Sequence, residues 1–295
     1  MPDDIRIALI GLDSSHSVEF ARRMQAPDCP QDHKVQGMRA VTCLRFETPF
    51  QDEKGLDERQ ALLESWGIEV TESFEVAVAD CDALFVEIND ATYHLEYFTM
   101  AAELGKPFFL DKPLADTIDN GRKICAIAAA RNARFFSASS LRFVPALSEA
   151  CVAVPEPQCC TVYGPLGQAP AGSSIVWYGV HSFEMLQRAM GTGAQTLQTR
   201  KDDAGVVVVV DYANGTRGVV ELTVGAYVYG GCLRTSKTAA PFVVDMGSAY
   251  TDLLVEIGKF LAGGEAPMDT AETLEIMAML DAAERSLQSG AVETV

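Results

Sequence analysis

The chain has 295 residues, 48% of them hydrophobic and 22% charged, and carries a formal net charge of −18. That length suits two domains of ordinary size, and the composition specifies a folded protein rather than a disordered one. The acidic balance excludes a phosphate-backbone partner, because nucleic-acid binding needs a basic footprint.

The start, Met1-Pro2-Asp3-Asp4, is acidic where a signal peptide is basic, and apolar runs such as Val206 to Val210 are strand-sized rather than membrane-spanning. Eight cysteines lie scattered without C-x-x-C spacing, the adjacent Cys159-Cys160 included. They read as reduced thiols, so a cytoplasmic protein is expected. The four histidines, His16, His33, His94 and His181, include no pair at helix spacing, and no metal site is expected.

In chain order, Ile5 to Leu12 is an apolar run holding Gly11, followed by Asp13-Ser14-Ser15-His16 and an amphipathic stretch from Val18 to Met24. This reads as a buried strand, a tight turn and a capped helix, the opening of a dinucleotide-binding unit. Of the three glycine positions in G-x-G-x-x-G only Gly11 is kept; Asp13 and His16 hold the other two. Asp13 puts bulk and a like charge where a backbone would approach a pyrophosphate, while Ser14, Ser15 and the helix N-terminus still suit an anion. His16 either lines that turn or packs. Ala40 to Phe46 is the second strand, and its end meets the adenosine ribose in such a fold. Arg45 would tolerate a 2′-phosphate and Glu47 would exclude one, so NAD and NADP both remain open, as does the reading that these are two solvated residues.

Glu58 to Trp66 reads as a helix, Ile68 to Thr71 as a strand, Phe74 to Ala79 as a helix and Asp82 to Ile88 as a fourth strand. Asn89 to Thr92 is a loop, and the helix Tyr93 to Leu104 carries His94 and ends at Gly105. Pro107-Phe108-Phe109-Leu110-Asp111-Lys112-Pro113-Leu114 is a short buried strand that breaks at Pro113. Lys112 is thereby set at the strand end, where open α/β sheets bind ligands, although a strand-end lysine also commonly snorkels into water. A helix over Thr117 to Asn132 and a strand over Phe135 to Leu141 follow. Strands alternating with helices over about 140 residues specify right-handed crossovers and a parallel sheet.

The pattern changes after Arg142-Phe143-Val144-Pro145. Val154 to Ser174, rich in Pro, Gly, Cys and Ser, reads as loop or edge strand. Tyr178 to Met190 is helical, and strands are expected over Thr196 to Thr199, Gly205 to Tyr212, Thr216 to Val224 and Tyr227 to Leu233. Asn214-Gly215 is a strong hairpin signal. Strands without intervening helices specify an antiparallel sheet, and helices over Tyr250 to Leu261 and Thr270 to Gln288 close the chain. The expected fold is therefore α/β plus α+β: a doubly wound parallel sheet over residues 1–143 and a mostly antiparallel sheet flanked by helices over 144–295. The last helix, 270–289, is a candidate to pack back on the first domain.

The order of these features resembles the Gfo/Idh/MocA oxidoreductases, relatives of glucose–fructose oxidoreductase and inositol dehydrogenase, nearly end to end. Ile5 to Met24 resembles the family's Rossmann opening, Asn89 to His94 its T-P-N-x-x-H loop, Asp111-Lys112-Pro113 its E-K-P motif, and Arg142-Phe143 with Pro145 its Arg-Phe-x-Pro stretch. The last helix, Ala282 to Ser286 with Gly290, resembles the family's ending. Trp177 to Glu184 falls in the place of D-x-G-x-H-x-x-D, with Gly179 and His181 matched, Glu184 standing in for the last aspartate and Trp177 replacing the first.

The resemblance implies hydride transfer between NAD or NADP and a sugar, cyclitol or related polyol. Lys112 would hold the reacting oxygen and His181 would take its proton. Gly11, Leu12, Asp13, Ser14, Ser15, His16, Arg45, Asn89, His94, Asp111 and Lys112 would line the cofactor, with His94 holding the loop beneath it. Arg142, Trp177 and Glu184 would face the substrate, although Arg142 equally suits an ion pair and Trp177 a core. The resemblance further implies a homodimer or homotetramer through the second sheet. The departures at Asp13, His16 and Trp177 support the alternative, a non-catalytic or ligand-binding member that has lost cofactor chemistry.

Overall fold

The computed structural model describes residues 4–295; the acidic Met1-Pro2-Asp3 start lies outside them. The chain divides into two compact units, the first running to Ser137 and taking in Tyr250–Asp269, the second comprising Ala138–Ala249 and Thr270–Val295.

The first unit is built on six parallel strands, β1 (Ile5–Ile10), β2 (Met38–Leu44), β3 (Glu69–Thr71), β4 (Ala83–Val86), β5 (Phe108–Leu110) and β6 (Phe135–Ser137). Their order, β3-β2-β1-β4-β5-β6, is the doubly wound order of a Rossmann sheet, with its switch point between β1 and β4. β4 (Ala-Leu-Phe-Val) and β5 (Phe-Phe-Leu) are buried at every position, which is why they read as unbroken apolar runs. Helices α1 (Ser15–Gln25), α2 (Glu53–Ser65), α3 (Phe74–Val78), α4 (His94–Glu103) and α5 (Ile118–Arg131) connect them. Ser14 caps α1 by accepting the His16 N–H at 3.1 Å, and Gly105 ends α4 at φ +65°.

A helix from late in the chain, α8 (Ala249–Leu261), completes this unit. Its Tyr250 ring meets Phe20 at 5.7 Å and its Phe260 ring meets Phe136 at 5.3 Å. The helix grouped with the first sheet is therefore α8, whereas the last helix, α9 (Thr270–Ser289), is grouped with the second unit.

The second unit adds β7 (Cys159–Pro165), β8 (Ala194–Asp202), β9 (Gly205–Tyr212), β10 (Arg217–Thr223), β11 (Gly230–Arg234), β12 (Ala239–Val243) and β13 (Glu293–Thr294), in the order β12-β11-β7-β10-β9-β8-β13. Every pairing is antiparallel except β7 with β10. Asn214-Gly215 turns β9 into β10, with Gly215 at φ +80° and the Asn214 side chain accepting the Thr216 N–H. α6 (Pro145–Ala153), α7 (Val180–Met190) and α9 flank the sheet.

Three features differ from the sequence expectation. β7 is an interior strand rather than a loop or edge. Its small residues answer to packing: a Cβ on Gly164 would come within 2.5 Å of Ser182 Oγ. α6 begins at Pro145, a position where proline favours a helix start instead of breaking one. α7 starts two residues later than expected because a π-helical turn, Ile175–Gly179, leads into it.

Candidate functional site

The β1–α1 turn is fixed by contacts that a glycine-rich loop would lack. Gly11 sits at φ +106°, and a Cβ there would lie 2.9 Å from the Glu87 carbonyl oxygen, so only glycine lets β1 pass this close to β4. Ser17 Oγ donates to the Gly11 carbonyl at 2.8 Å. Asp13 is 1% exposed and turns inward. Its carboxylate accepts the Thr48 hydroxyl at 2.7 Å, the Asn89 N–H at 2.9 Å and the Asp90 N–H at 3.2 Å, tying together the loops after β1, β2 and β4. Burial still raises this carboxyl above its ordinary value, against the pull of those donors. Leu12 is buried, Ser15 is exposed, and the Leu12 carbonyl accepts a hydrogen bond from Arg59 Nη1 at 2.8 Å. Arg59 was not singled out in the sequence; it brings a half-buried cation to the turn.

At the rim of the sheet, His16, Glu87, Asp111 and Lys112 converge. His16 opens α1, Glu87 follows β4, and Asp111 and Lys112 follow β5, ahead of a cis Lys112–Pro113 peptide. His16 Nδ1 lies 2.8 Å from Asp111 Oδ2 and 3.8 Å from Glu87 Oε2, and Lys112 Nζ lies 3.5 Å from Asp111 Oδ2. The His16 ring stacks on Phe20 at 5.3 Å and meets the Tyr250 edge at 5.0 Å. Lys112 is buried rather than snorkelling. Burial alone would raise the Asp111 carboxyl, but His16 and Lys112 beside it hold it well below the usual carboxylate range. Glu87 goes the other way: burial, with the Asp111 charge next to it, pushes its carboxyl well above the usual range. Glu87 was missed in the sequence, although an acid inside Ala-Leu-Phe-Val-Glu-Ile was a visible signal, since such residues are rarely enclosed without a reason.

His94 is fully buried; its Nε2 lies 2.8 Å from the Ile88 carbonyl and its Nδ1 3.4 Å from the Leu114 carbonyl, linking the loops that follow β4 and β5. Asn89 Nδ2 donates to the Asp13 carbonyl at 3.2 Å. Arg45, at the end of β2, spends its guanidinium on Asp57 at 2.7 Å and Gln60 at 2.6 Å, both on α2.

The other expected residues lie in the second unit. His181 is half-buried on α7, its Nδ1 2.6 Å from Ser139 Oγ. Glu184 is buried and accepts the Ser139 N–H at 3.1 Å. Arg142 is 3% exposed and bonds to Gln187 at 2.5 Å and Glu272 at 2.7 Å, with Glu184 at 3.7 Å. Arg142 and Glu184 thus belong to one enclosed polar network. Trp177 is half-buried with its ring edge-on to Tyr178 at 5.1 Å. A separate open cavity of about 390 Å³, lined by Lys201, Glu284 and Ser173 among others, contains none of the expected site residues.

Residues 52–139 match the family model described as GFO_IDH_MocA, "Oxidoreductase family, NAD-binding Rossmann fold". Over that stretch the chain is similar to the Gfo/Idh/MocA oxidoreductases. Solved structures with the same fold include a myo-inositol dehydrogenase from Corynebacterium glutamicum, 16% identical, covering 99% of each chain at a TM-score of 0.81. Myo-inositol 2-dehydrogenase from Lactobacillus plantarum is 15% identical, with 99% of this chain and 100% of that chain covered at 0.81. An oxidoreductase from Agrobacterium radiobacter, solved with NAD+, L-tartaric acid and magnesium, is 15% identical, with 99% and 98% covered at 0.75.

The β1–α1 turn fits a dinucleotide. Gly11 keeps the close backbone approach, the Asp13 charge is taken up by internal donors instead of facing a phosphate, and Arg59 offsets it from the neighbouring helix. No helix among the described residues is long and apolar enough to cross a membrane.

Proposed function

We propose that the protein is an NAD-dependent oxidoreductase acting on a sugar, cyclitol or related polyol. The observation that carries this reading is Lys112, a buried lysine at the switch-point rim of the first sheet, held beside Asp111 and level with the Gly11 turn. When bound, the nicotinamide supplies the hydride chemistry. The chain supplies placement and protonation. Gly11, Leu12, Ser14, Ser15 and the N-terminus of α1 would hold the pyrophosphate, with Arg59 adding charge. Arg45, already neutralised by Asp57, supports NAD over NADP. Lys112 Nζ would hold the substrate oxygen and favour charge developing on it. His181, with its Nδ1 set by Ser139, is the proposed acceptor of the hydroxyl proton. The inositol dehydrogenases among the similar folds support a cyclitol-like substrate.

The second sheet supports self-association as part of the same proposal. Gly218, Val220 and Leu222 lie on the face toward α7, where a Cβ on Gly218 would meet Leu186, which leaves Val207, Val209 and Val219 on the opposite face, half-buried. A homodimer or homotetramer covering that face is expected by light scattering.

The alternative, a member that keeps the fold without cofactor chemistry, draws on Asp13 and Trp177. Calorimetric titration with NAD+ and NADH decides between the two: no saturable binding at millimolar concentration removes the oxidoreductase. If binding is seen, Lys112→Ala is expected to cut turnover of a polyol substrate by orders of magnitude with little change in nucleotide affinity. An unchanged rate would take Lys112 out of the mechanism.

A further inference from the structure

Two enclosed carboxyls at the rim of the first sheet face a lysine and a histidine, and their charges do not balance. Glu87 and Asp111 are fully buried, Lys112 is 4% exposed and His16 6%. With both acids ionised, Lys112 an ammonium and His16 counted as an uncharged imidazole, the cluster lacks one positive charge, and an uncompensated charge in such surroundings is strongly disfavoured. One proton closes the balance, on His16 or on one of the acids, and infrared spectroscopy separates these, since a proton on His16 leaves no protonated-glutamate band. A divalent cation could reach His16, Glu87 and Asp111, whose ligand-type atoms lie within 4.8 Å of one another, but beside Lys112 it would overshoot neutrality by one charge.

The geometry also decides which acid keeps the proton. Asp111 Oδ2 has His16 Nδ1 at 2.8 Å and Lys112 Nζ at 3.5 Å, whereas among the described residues the ion-pairing nitrogen within 4 Å of Glu87 is His16 Nδ1 alone, at 3.8 Å. Neither Glu87 oxygen has a hydrogen-bond partner among the described residues, so an ionised Glu87 would be enclosed without a donor whichever state His16 takes; the Asp111 oxygens are likewise without an aligned hydrogen bond but keep the two close nitrogens. Of the remaining neighbours, burial raises the Cys43 thiol on β2 and keeps it protonated, and the Tyr250 ring of α8 packs T-shaped against His16 at 5.0 Å. Carboxyl pairs in such unequal surroundings divide into one anion and one neutral acid.

We propose that Glu87 is a positioning residue held as a neutral carboxylic acid at neutral pH, and that its proton keeps the rim neutral so that the Lys112 ammonium acts undiminished on a substrate oxygen. Its link to Lys112 rests on the oxidoreductase reading above; the neutral state of Glu87 does not. Beside an uncharged His16, an ionised Glu87 would leave the cluster with a net negative charge facing the oxyanion that Lys112 is meant to stabilise.

Infrared spectroscopy of the full chain at neutral pH, with isotope-labelled glutamate, tests this directly. The expected result is a C=O band of a protonated carboxyl that moves with the label and is lost in Glu87→Gln. A labelled wild type without that band overturns the proposal whether or not the variant folds, and so does a band that survives in E87Q. Stoichiometric divalent metal retained by the wild type and lost in E87Q overturns it too, since the missing charge would then be a metal's. An NADH titration of the same samples separates the two readings. The band without nucleotide binding upholds the neutral acid and removes its assignment to hydride transfer. Nucleotide binding without the band leaves the oxidoreductase and sinks the neutral acid. Where turnover is measurable, the fall in rate on the alkaline side is expected in the wild type and not in E87Q.

Discussion

Asp13→Gly would restore the second glycine of the dinucleotide turn and dismantle what holds that turn in place. The Asp13 carboxylate receives Thr48 Oγ at 2.7 Å, the Asn89 N–H at 2.9 Å and the Asp90 N–H at 3.2 Å, and glycine deletes the acceptor for all three. Thr48 can swing its hydroxyl elsewhere, but the two amides cannot, and each enclosed donor left unpaired costs roughly 1–3 kcal/mol. Added backbone freedom contributes up to about 1 kcal/mol more. Against this, the variant no longer buries a carboxyl whose pKa is already raised by its enclosure. The balance is a loss of about 3 kcal/mol, lowering the melting temperature of a domain of this size by roughly 6–12 °C. Thermal melts of wild type and D13G, paired with an NADH titration of each, give the readout. A variant melting within about 2 °C of wild type while binding nucleotide more tightly would refute the reasoning, because the carboxylate would then be facing ligand and not the loops.

Arg142→Met should remove the cation from the Glu184–Gln187–Glu272 network and cost about 3–5 kcal/mol, visible as a lower urea midpoint with an unchanged slope. A variant of full stability would free Arg142 for a substrate role. Gly11→Ala should cost at least ~2 kcal/mol, since its backbone sits at φ +106° and the new methyl would press on the Glu87 carbonyl and Ile88; a melt unaltered by the change would contradict that geometry. Glu87 ties stability to pH. Its carboxyl is raised in the folded chain, so the wild type loses stability relative to E87Q as pH climbs above the ordinary value of 4.5, by up to ~1.4 kcal/mol per unit until Glu87 ionises in place. Equal stabilities from pH ~5 to ~7 would mean that the folded chain does not shift this group.

The parallel sheet was legible because its strands are buried on both faces and therefore announce themselves as runs such as Ala-Leu-Phe-Val and Phe-Phe-Leu. Gly105 and Asn214-Gly215 were legible for a different reason, each marking a backbone conformation that few residues adopt. β7 was not, because its Gly164 and Pro165 carry the composition of a loop, and only the approach of Ser182 from α7 explains the glycine. The site followed the same division. Lys112 and Asp111 stood out at a strand end, but the meaning of Asp13 depends on Thr48, Asn89 and Asp90, which no local window contains. Glu87 was visible as a single acid within a hydrophobic run, but its role was not, because its partners arrive from α1 and the residues after β5.

The placement of α8 sets a condition on synthesis. Phe20 and Phe136 belong to segments made early, yet the rings that cover them, Tyr250 and Phe260, are added more than a hundred residues later. On the ribosome the first sheet must therefore wait, with part of its aromatic surface open to water, until nearly the whole second unit has emerged. A fragment ending at Ser137 would keep that surface bare indefinitely and should aggregate, whereas adding residues 250–269 as a separate peptide should rescue its solubility.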